Sequence, residues 1–252
     1  MNILFLTKSK EFTLKFLKKI IDDGHNVWVV CKDYSSFSGS KMESYCLENN
    51  IRFVDNKDLY EELNNHQLPE FDFAISNTYG RLIRKELIDR VKGNIINLHG
   101  AVLPAYKGAF TYNWGLFNLE KEWGATAHFV NERFDEGDII QIKKFPIDPE
   151  TITVAELERK TQEAAYELTV ELLDKFINGV AFERTPQTGD GKYYRREDFE
   201  NLKRITTSDS AEIVNRKIHS CWCPPYEGAF IEIDGNRYSI INSGLMEKLL
   251  NG

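Results

Sequence analysis

The sequence predicts an α/β fold built on a mostly parallel sheet with an antiparallel edge, followed by a small C-terminal helix and β-hairpin piece. Three observations carry this. Short apolar runs alternate with helical periodicities over about the first hundred residues. The rhythm then breaks into two strand-like runs with no helix between them, and one stretch near residue 185 is dense in turn formers.

Asn2 to Thr7 is an apolar run, and Phe12, Phe16, Ile20 and Ile21 then recur at helical spacing until Asp22-Asp23-Gly24 stops the pattern. Further buried strands are expected at Asn26–Cys31, Phe71–Ser76 and Asn94–His99, with helices around 39–49, 58–65 and 84–91 between them. Strands separated by helices imply right-handed crossovers and a parallel sheet covered on both faces. Ala125–Val130 and Ile139–Phe145 are joined by a loop alone, which predicts the antiparallel pair. A long helix follows, with Thr153 and Glu156 spaced as a capping box, Leu157, Thr161, Ala164, Leu168, Leu172 and Phe176 along one face, and Gly179 as its stop. Thr185-Pro186-Gln187-Thr188-Gly189-Asp190-Gly191 sets the expected boundary between domains at 1–185 and 186–252. Beyond it, a helix near 209–220 is followed by a breaker at Cys223-Pro224-Pro225. A hairpin of Ala229–Ile233 and Arg237–Ile241 then forms around Asp234-Gly235-Asn236.

Composition narrows the function. The chain has 252 residues, 42% of them hydrophobic, enough for one sizeable core. Its 32 lysines and arginines against 39 acids give a net charge of −7, which disfavours long nucleic acid or an anionic membrane as partner but leaves room for a local basic pocket. No apolar run reaches the ~20 residues of a membrane span, so a cytoplasmic location is expected. Four cysteines (Cys31, Cys46, Cys221 and Cys223) read as free thiols, with no second pair at zinc-ligand spacing, so no metal is expected.

The first turn, Lys8-Ser9-Lys10-Glu11-Phe12, lacks glycine, which argues against NAD, FAD and Walker-type nucleotide sites. In an open α/β sheet the ligand still lies at the carboxyl ends of the strands. There, Asn97 and His99 are two apart and share a face, Leu103-Pro104-Ala105-Tyr106-Lys107-Gly108 reads as a rigid turn with a flexible point over a ligand, and Asp135 lies in the loop of the antiparallel pair. An amide, an imidazole and a carboxylate brought together suit acyl transfer. Asn97 and His99 would donate to a developing oxyanion, while Asp135 would orient the histidine and manage the proton of an attacking amine. No serine or cysteine stands beside the histidine as a nucleophile, so direct attack by the substrate's amine is the natural chemistry. Read from spacing alone, Asn97 and His99 are equally a hydrogen-bonded pair capping a strand.

The segment Asn97-Leu98-His99-Gly100-Ala101-Val102-Leu103-Pro104 with Lys107-Gly108 is followed by Gly124-Ala125-Thr126-Ala127-His128 and by Asp135-Glu136-Gly137-Asp138-Ile139-Ile140. Together they resemble the signature of the formyltransferases that use N10-formyltetrahydrofolate. The resemblance implies a Rossmann-like catalytic domain, catalytic roles for Asn97, His99 and Asp135, and N10-formyltetrahydrofolate as co-substrate without a metal. Thr78-Tyr79-Gly80-Arg81-Leu82-Ile83 resembles the segment whose main chain binds the pterin, so Tyr79, Arg81, Leu82 and Ile83, with Asp138, are implied to hold the folate. Lys192-Tyr193-Tyr194-Arg195 and the stretch from Ile213 to Gly228 resemble the start of the C-terminal domain in the methionyl-tRNA and sugar members. One departure is visible: Ala101 stands where the family usually has serine, which leaves the hydrogen bonding there open.

The acceptor follows from length and charge. Glycinamide ribonucleotide enzymes resemble only the first ~200 residues, methionyl-tRNA enzymes resemble a longer chain, and the charge of −7 suits tRNA poorly. The expectation is a nucleotide-linked, dTDP-type amino-dideoxy sugar, as in lipopolysaccharide O-antigen biosynthesis. Lys107, Arg195 and Arg196 would meet the diphosphate, and Trp222 or Tyr226 the base; each also reads as an ordinary surface or packing residue. A homodimer is expected, with the C-terminal hairpin as its contact. His128 reads as a supporting or a packing residue beside the site. The alternatives are a methionyl-tRNA formyltransferase and a non-catalytic nucleotide-sugar or folate binding protein.

Overall fold

The computed structural model describes residues 1–32, 41–189 and 191–251. In chain order its first half comprises β1 (Asn2–Lys8), α1 (Glu11–Asp22), β2 (Asn26–Lys32), α2 (Lys41–Glu48), β3 (Arg52–Asp55), α3 (Leu59–Asn64), β4 (Phe73–Asn77), α4 (Lys85–Arg90) and β5 (Ile95–His99). Then come β6 (Tyr106–Gly108), α5 (Thr111–Phe117), β7 (Glu122–Phe129), β8 (Ile139–Pro146) and α6 (Val154–Ile177). The chain ends with β9 (Lys192–Tyr194), α7 (Arg196–Lys203), α8 (Ala211–Cys221), β10 (Phe230–Ile233), β11 (Asn236–Ser239) and α9 (Ser243–Asn251).

Seven strands form one sheet in the order β3-β2-β1-β4-β5-β7-β8. The pairs up to β4–β5 are parallel, and β5–β7 and β7–β8 are antiparallel, so the expected parallel sheet with an antiparallel edge is present. Period-two alternation decides which face each residue serves. In β1, Ile3 and Phe5 enter one core with Phe16, Leu17 and Ile20 of α1 and Leu168 and Leu172 of α6, while Leu4 and Leu6 enter the other with Leu59, Leu63 and Leu87. The capping box forms as its spacing predicts: the Thr153 side chain accepts from the Glu156 N–H, and the Glu156 carboxylate accepts from Thr153 N at 2.8 Å.

Several elements depart from the sequence expectation. β3 has only four residues, with Arg52 and Asp55 at its ends, too short a pattern to read. The start of the helix expected around 39–49 lies outside the described residues, and α2 runs from Lys41. The segment expected to be a flexible point over the ligand is instead pinned, because Tyr106–Gly108 pairs in parallel with Lys192–Tyr194. Short helices α5, α7 and α9 were likewise unmarked by periodicity. The hairpin forms as expected, with Asp234 (φ 49°) and Gly235 (φ 76°) in the left-handed pair that a two-residue turn requires. A third apolar cluster joins Tyr106, Trp114 and Trp123 to Tyr194, Phe199, Leu202 and Ile218, so residues beyond 186 share a core with the sheet-bearing part.

Candidate active site

The antiparallel edge builds the site. In the β5–β7 register Asn97 lies opposite His128 and His99 opposite Thr126, which puts all four on one face. A register shift between Ala127 and His128 bends β7 where its loop departs toward Asp135.

Each side chain is held by one atom and exposes another. His99 Nε2 lies 2.6 Å from the Tyr106 carbonyl, which only accepts, so that nitrogen carries a proton and Nδ1 turns to Asp135 Oδ1 at 3.4 Å. His128 Nδ1 donates to the Phe129 carbonyl at 2.7 Å. Its Nε2 then accepts from the Asn97 amide at 3.0 Å and lies 3.7 Å from Asp135 Oδ1. Asp135 Oδ2 accepts from Gly108 N at 2.9 Å. Asp135, with φ of 55°, is followed by Gly137, where a side chain would collide with the Phe129 carbonyl, so the loop passes directly against β7.

Burial alone would raise the Asp135 pKa, but His99, His128 and the Gly108 N–H outweigh it and hold the carboxyl well below the usual range. A carboxylate between two imidazoles, beside an amide, can accept an amine's proton while the imidazole and amide face a developing negative oxygen. Burial pushes the Cys46 and Cys221 thiols up to about 12 and raises that of Cys223, which disfavours these three as nucleophiles. Among the described residues no group of three His, Cys, Asp or Glu side chains is arranged to hold a metal.

Asn97, His99 and Asp135 are therefore brought together as the sequence suggested, and His128 joins them as a direct partner of Asn97. The cross-strand pairing of 97 with 128 is what makes it so, and a sequence does not display register. Beside Ala101, the main chain is held by a hydroxyl of β7. Thr126 Oγ1 donates to the Ala101 carbonyl at 2.6 Å and accepts from Leu103 N at 3.1 Å.

The segment implied to hold a folate follows β4. Tyr79 is buried, bonded to Asn56 and packed in the second apolar core, whereas Leu82 is 43% exposed and Ile83 buried. With its amide oriented for both neighbours, Asn56 accepts from the exposed Arg81 guanidinium at 2.9 and 3.0 Å. Residues 80–83 make no backbone–backbone hydrogen bond among the described residues, so their main chain is free to pair with a planar heterocycle. Asp138 lies at the base of the Asp135 loop, its carbonyl accepting from Phe129 N at 2.9 Å and its carboxylate 3.8 Å from Arg184.

The acceptor candidates separate. Lys107 is half-buried in β6 opposite Tyr193, between Tyr106 and Gly108, whose main chains hold His99 and Asp135, and Tyr193 feels the charges of both Asp135 and Arg195. Tyr193 lies in the Lys192–Arg195 stretch that carries the resemblance, but nothing in the sequence singled it out as a site residue. Trp222 ends α8, and its neighbour Cys223 feels the charges of Glu158 and Lys10, which form a 2.5 Å ion pair. Tyr226 is 73% exposed, and neither Trp222 nor Tyr226 makes a hydrogen bond or ring contact with Asn97, His99 or Asp135 among the described residues.

Residues 1–173 match the formyl transferase family model, and the chain belongs to that family. Two curated relatives are methionyl-tRNA formyltransferases. That of Finegoldia magna is 23% identical over 260 residues, spanning 98% of this chain and 81% of the relative. That of Thermodesulfovibrio yellowstonii is 31% identical over 176 residues, spanning 70% and 56%. Among solved structures, a 4-N formyltransferase from Francisella tularensis superposes with a TM-score of 0.78 at 22% identity, covering 95% of this chain and 96% of that one. An N-formyltransferase from Helicobacter canadensis, solved with folinic acid and dTDP-3-aminofucose, gives 0.74 at 22%, covering 94% and 86%. No described helix is long and apolar enough to cross a membrane.

Proposed function

We propose that the protein transfers a formyl group from N10-formyltetrahydrofolate to the amine of a nucleotide-linked amino-dideoxy sugar. One observation carries the reaction: an ionised Asp135 held between His99 and His128, beside the Asn97 amide. When bound, the folate supplies an activated formyl carbon, and residues 79–83 are suited to hold its pterin by their main chain, with Asp138 nearby. The chain's side chains do the rest. Asp135 Oδ1 takes the proton of the attacking amine as the new C–N bond forms, and that proton balances the departure of the folate nitrogen when the original formyl C–N bond breaks. Asn97, donating from its amide, and His99, donating from Nδ1 in the imidazolium form while Nε2–H stays on the Tyr106 carbonyl, stabilise the negative oxygen that develops on the formyl group.

The sugar acceptor is supported by the likeness to a sugar N-formyltransferase over 95% of the chain, a span that takes in helices and strands after residue 186. The net charge of −7 favours it over tRNA. Lys107, Arg195, Trp222 and Tyr226 are the proposed acceptor contacts, with a homodimer formed through the exposed hairpin. The methionyl-tRNA reading has one specific observation in its favour, the curated relatives themselves.

Release of tetrahydrofolate, measured with a panel of dTDP- and UDP-linked amino sugars and with initiator methionyl-tRNA, separates the two. A sugar diphosphate neutralises about two charges, so its binding weakens gently with salt, whereas a tRNA contacting six or more phosphates has a log–log slope of roughly −0.7 per phosphate. Formylated methionyl-tRNA with a steep slope would overturn the sugar reading. Formyl donor left unchanged by every acceptor would overturn both.

A further inference from the structure

The turn-rich stretch around residue 185 runs along three sides of the triad. Thr185 and Ile139 exchange backbone hydrogen bonds of 2.8 and 2.9 Å at the start of β8. Two residues on, the Gln187 amide nitrogen donates to the carbonyls of both Asp135 and Gly137, each at 2.8 Å. Carbonyls only accept, so this orientation of the amide is fixed. Past residue 190, which lies outside the described residues, β9 pairs with β6, and Ala109 N donates to Tyr194 O at 2.9 Å. Gly108, with φ of 90°, has no room for a side chain against that same carbonyl. β6 in turn supplies both anchors of the triad, the Tyr106 carbonyl on His99 and the Gly108 N–H on Asp135.

Two features make Gln187 more than packing. Asp135 adopts a left-handed backbone conformation that costs a non-glycine residue about 1–2 kcal/mol, so the loop needs an external hold, and Gln187 provides it at the carbonyls on both sides of Glu136. Gln187 Oε1 is buried with no partner among the described residues, an arrangement unfavourable for stability that an apolar side chain would avoid.

We infer that Gln187 is a positioning residue for Asp135, and that residues 185–189 and 191–194 form a strap completing the reactive site. The inference rests on the formyl-transfer reading for its kinetic consequence but not for its structural one. Gln187→Met keeps the length and removes both donors, and Gln187→Asn withdraws the amide by one methylene while remaining polar. Displacement of a catalytic group by about 1 Å costs roughly 10²-fold. Each variant should lower kcat by that order, leave KM for folate and acceptor within about twofold, and move the acid limb of kcat upward as Asp135 loses its N–H and imidazole partners. Hydrogen exchange at the Gly108 amide should accelerate in both, with Ile95–His99 unchanged. That second readout needs no turnover. Faster Gly108 exchange in a protein that never transfers formyl would support the strap and sink the reaction. Formyl transfer by the wild type, with Gly108 exchange and kcat unchanged in both variants, would overturn the strap. If Gln187→Met does not fold, the same outcomes read from Gln187→Asn decide.

Discussion

Replacing Asp135 by asparagine tests the centre of the site, because it changes charge without changing volume. The amide oxygen still accepts from Gly108 N, now 2.9 Å from Oδ2, but an NH2 group faces His99 Nδ1 and His128 Nε2, which stand 3.4 and 3.7 Å from Oδ1. The proton acceptor for the amine is gone, and so is the negative charge between the two imidazoles. A positioned general base contributes about 10²–10⁴ in rate, so kcat should fall within that range, equivalent to about 2.7–5.4 kcal/mol of barrier. Stability should fall too. Hydrogen bonds to a charged group are worth about 1.5–3 kcal/mol, and a chain of this size loses roughly 2–4 °C per kcal/mol, which gives a Tm lowered by about 3–12 °C near pH 7. The pH dependence has a definite sign. Because the folded pKa of Asp135 is depressed, its contribution is complete above the unfolded value of about 3.9 and is lost as pH falls through the lower folded value. The stability gap between wild type and variant, followed by calorimetry, should stay constant from pH 8 to about pH 5 and close below about pH 4. A variant within threefold of wild-type kcat, or a gap that widens in acid, would refute the reasoning.

Three further outcomes follow from the geometry. His128→Leu removes the acceptor that holds the Asn97 amide and should lower kcat about 10-fold or more with little change in KM. In an Asn97→Ala background the same change should add almost nothing, which a double-mutant cycle on tetrahydrofolate release will check. Leu82→Val should leave folate binding nearly intact while Leu82→Pro weakens it by deleting a main-chain donor, as read by equilibrium titration. Equal effects would show that the Leu82 side chain is what matters. On the proposed acceptor assignment, Lys107→Ala should raise KM for the nucleotide sugar and leave that for the folate unchanged in steady-state kinetics, since it would remove a ground-state contact to the acceptor alone.

Legibility in the sequence followed the range of the signal. β1 and α1 were readable because Ile3 to Leu6 is a continuous apolar run, as a strand buried on both faces requires, and because Phe16 and Ile20 recur at helical spacing, both short-range patterns. Thr153 and Glu156 read correctly because a capping box is complete within one turn. The misses are long-range. β6 and β9 are three residues each and exist only by pairing across more than eighty positions, so the stretch from Leu103 to Gly108 read as a rigid turn with a flexible point and not as a strand. His128 could be placed on a strand, but its contact with Asn97 depends on the β5–β7 register, and Gln187 sat among turn formers with nothing in its neighbours to mark it.

The division of labour among these polar groups has a consequence for acceptor choice. His99 commits Nε2 to the Tyr106 carbonyl, His128 commits Nδ1 to the Phe129 carbonyl, and Asp135 commits Oδ2 to Gly108 N, so each presents one remaining atom toward the others. Such a frame is organised before substrate arrives, which is what electrostatic stabilisation of a developing charge requires. It also leaves the triad little freedom to adapt to different amines. Discrimination between acceptors must then reside outside it, and the acceptor contacts proposed above lie there: Lys107, which pairs with Tyr193, Arg195 just beyond β9, and Trp222 at the end of α8. Substitutions at those positions should redistribute KM among nucleotide sugars while the pH profile of kcat, governed by the inner frame, stays where it is.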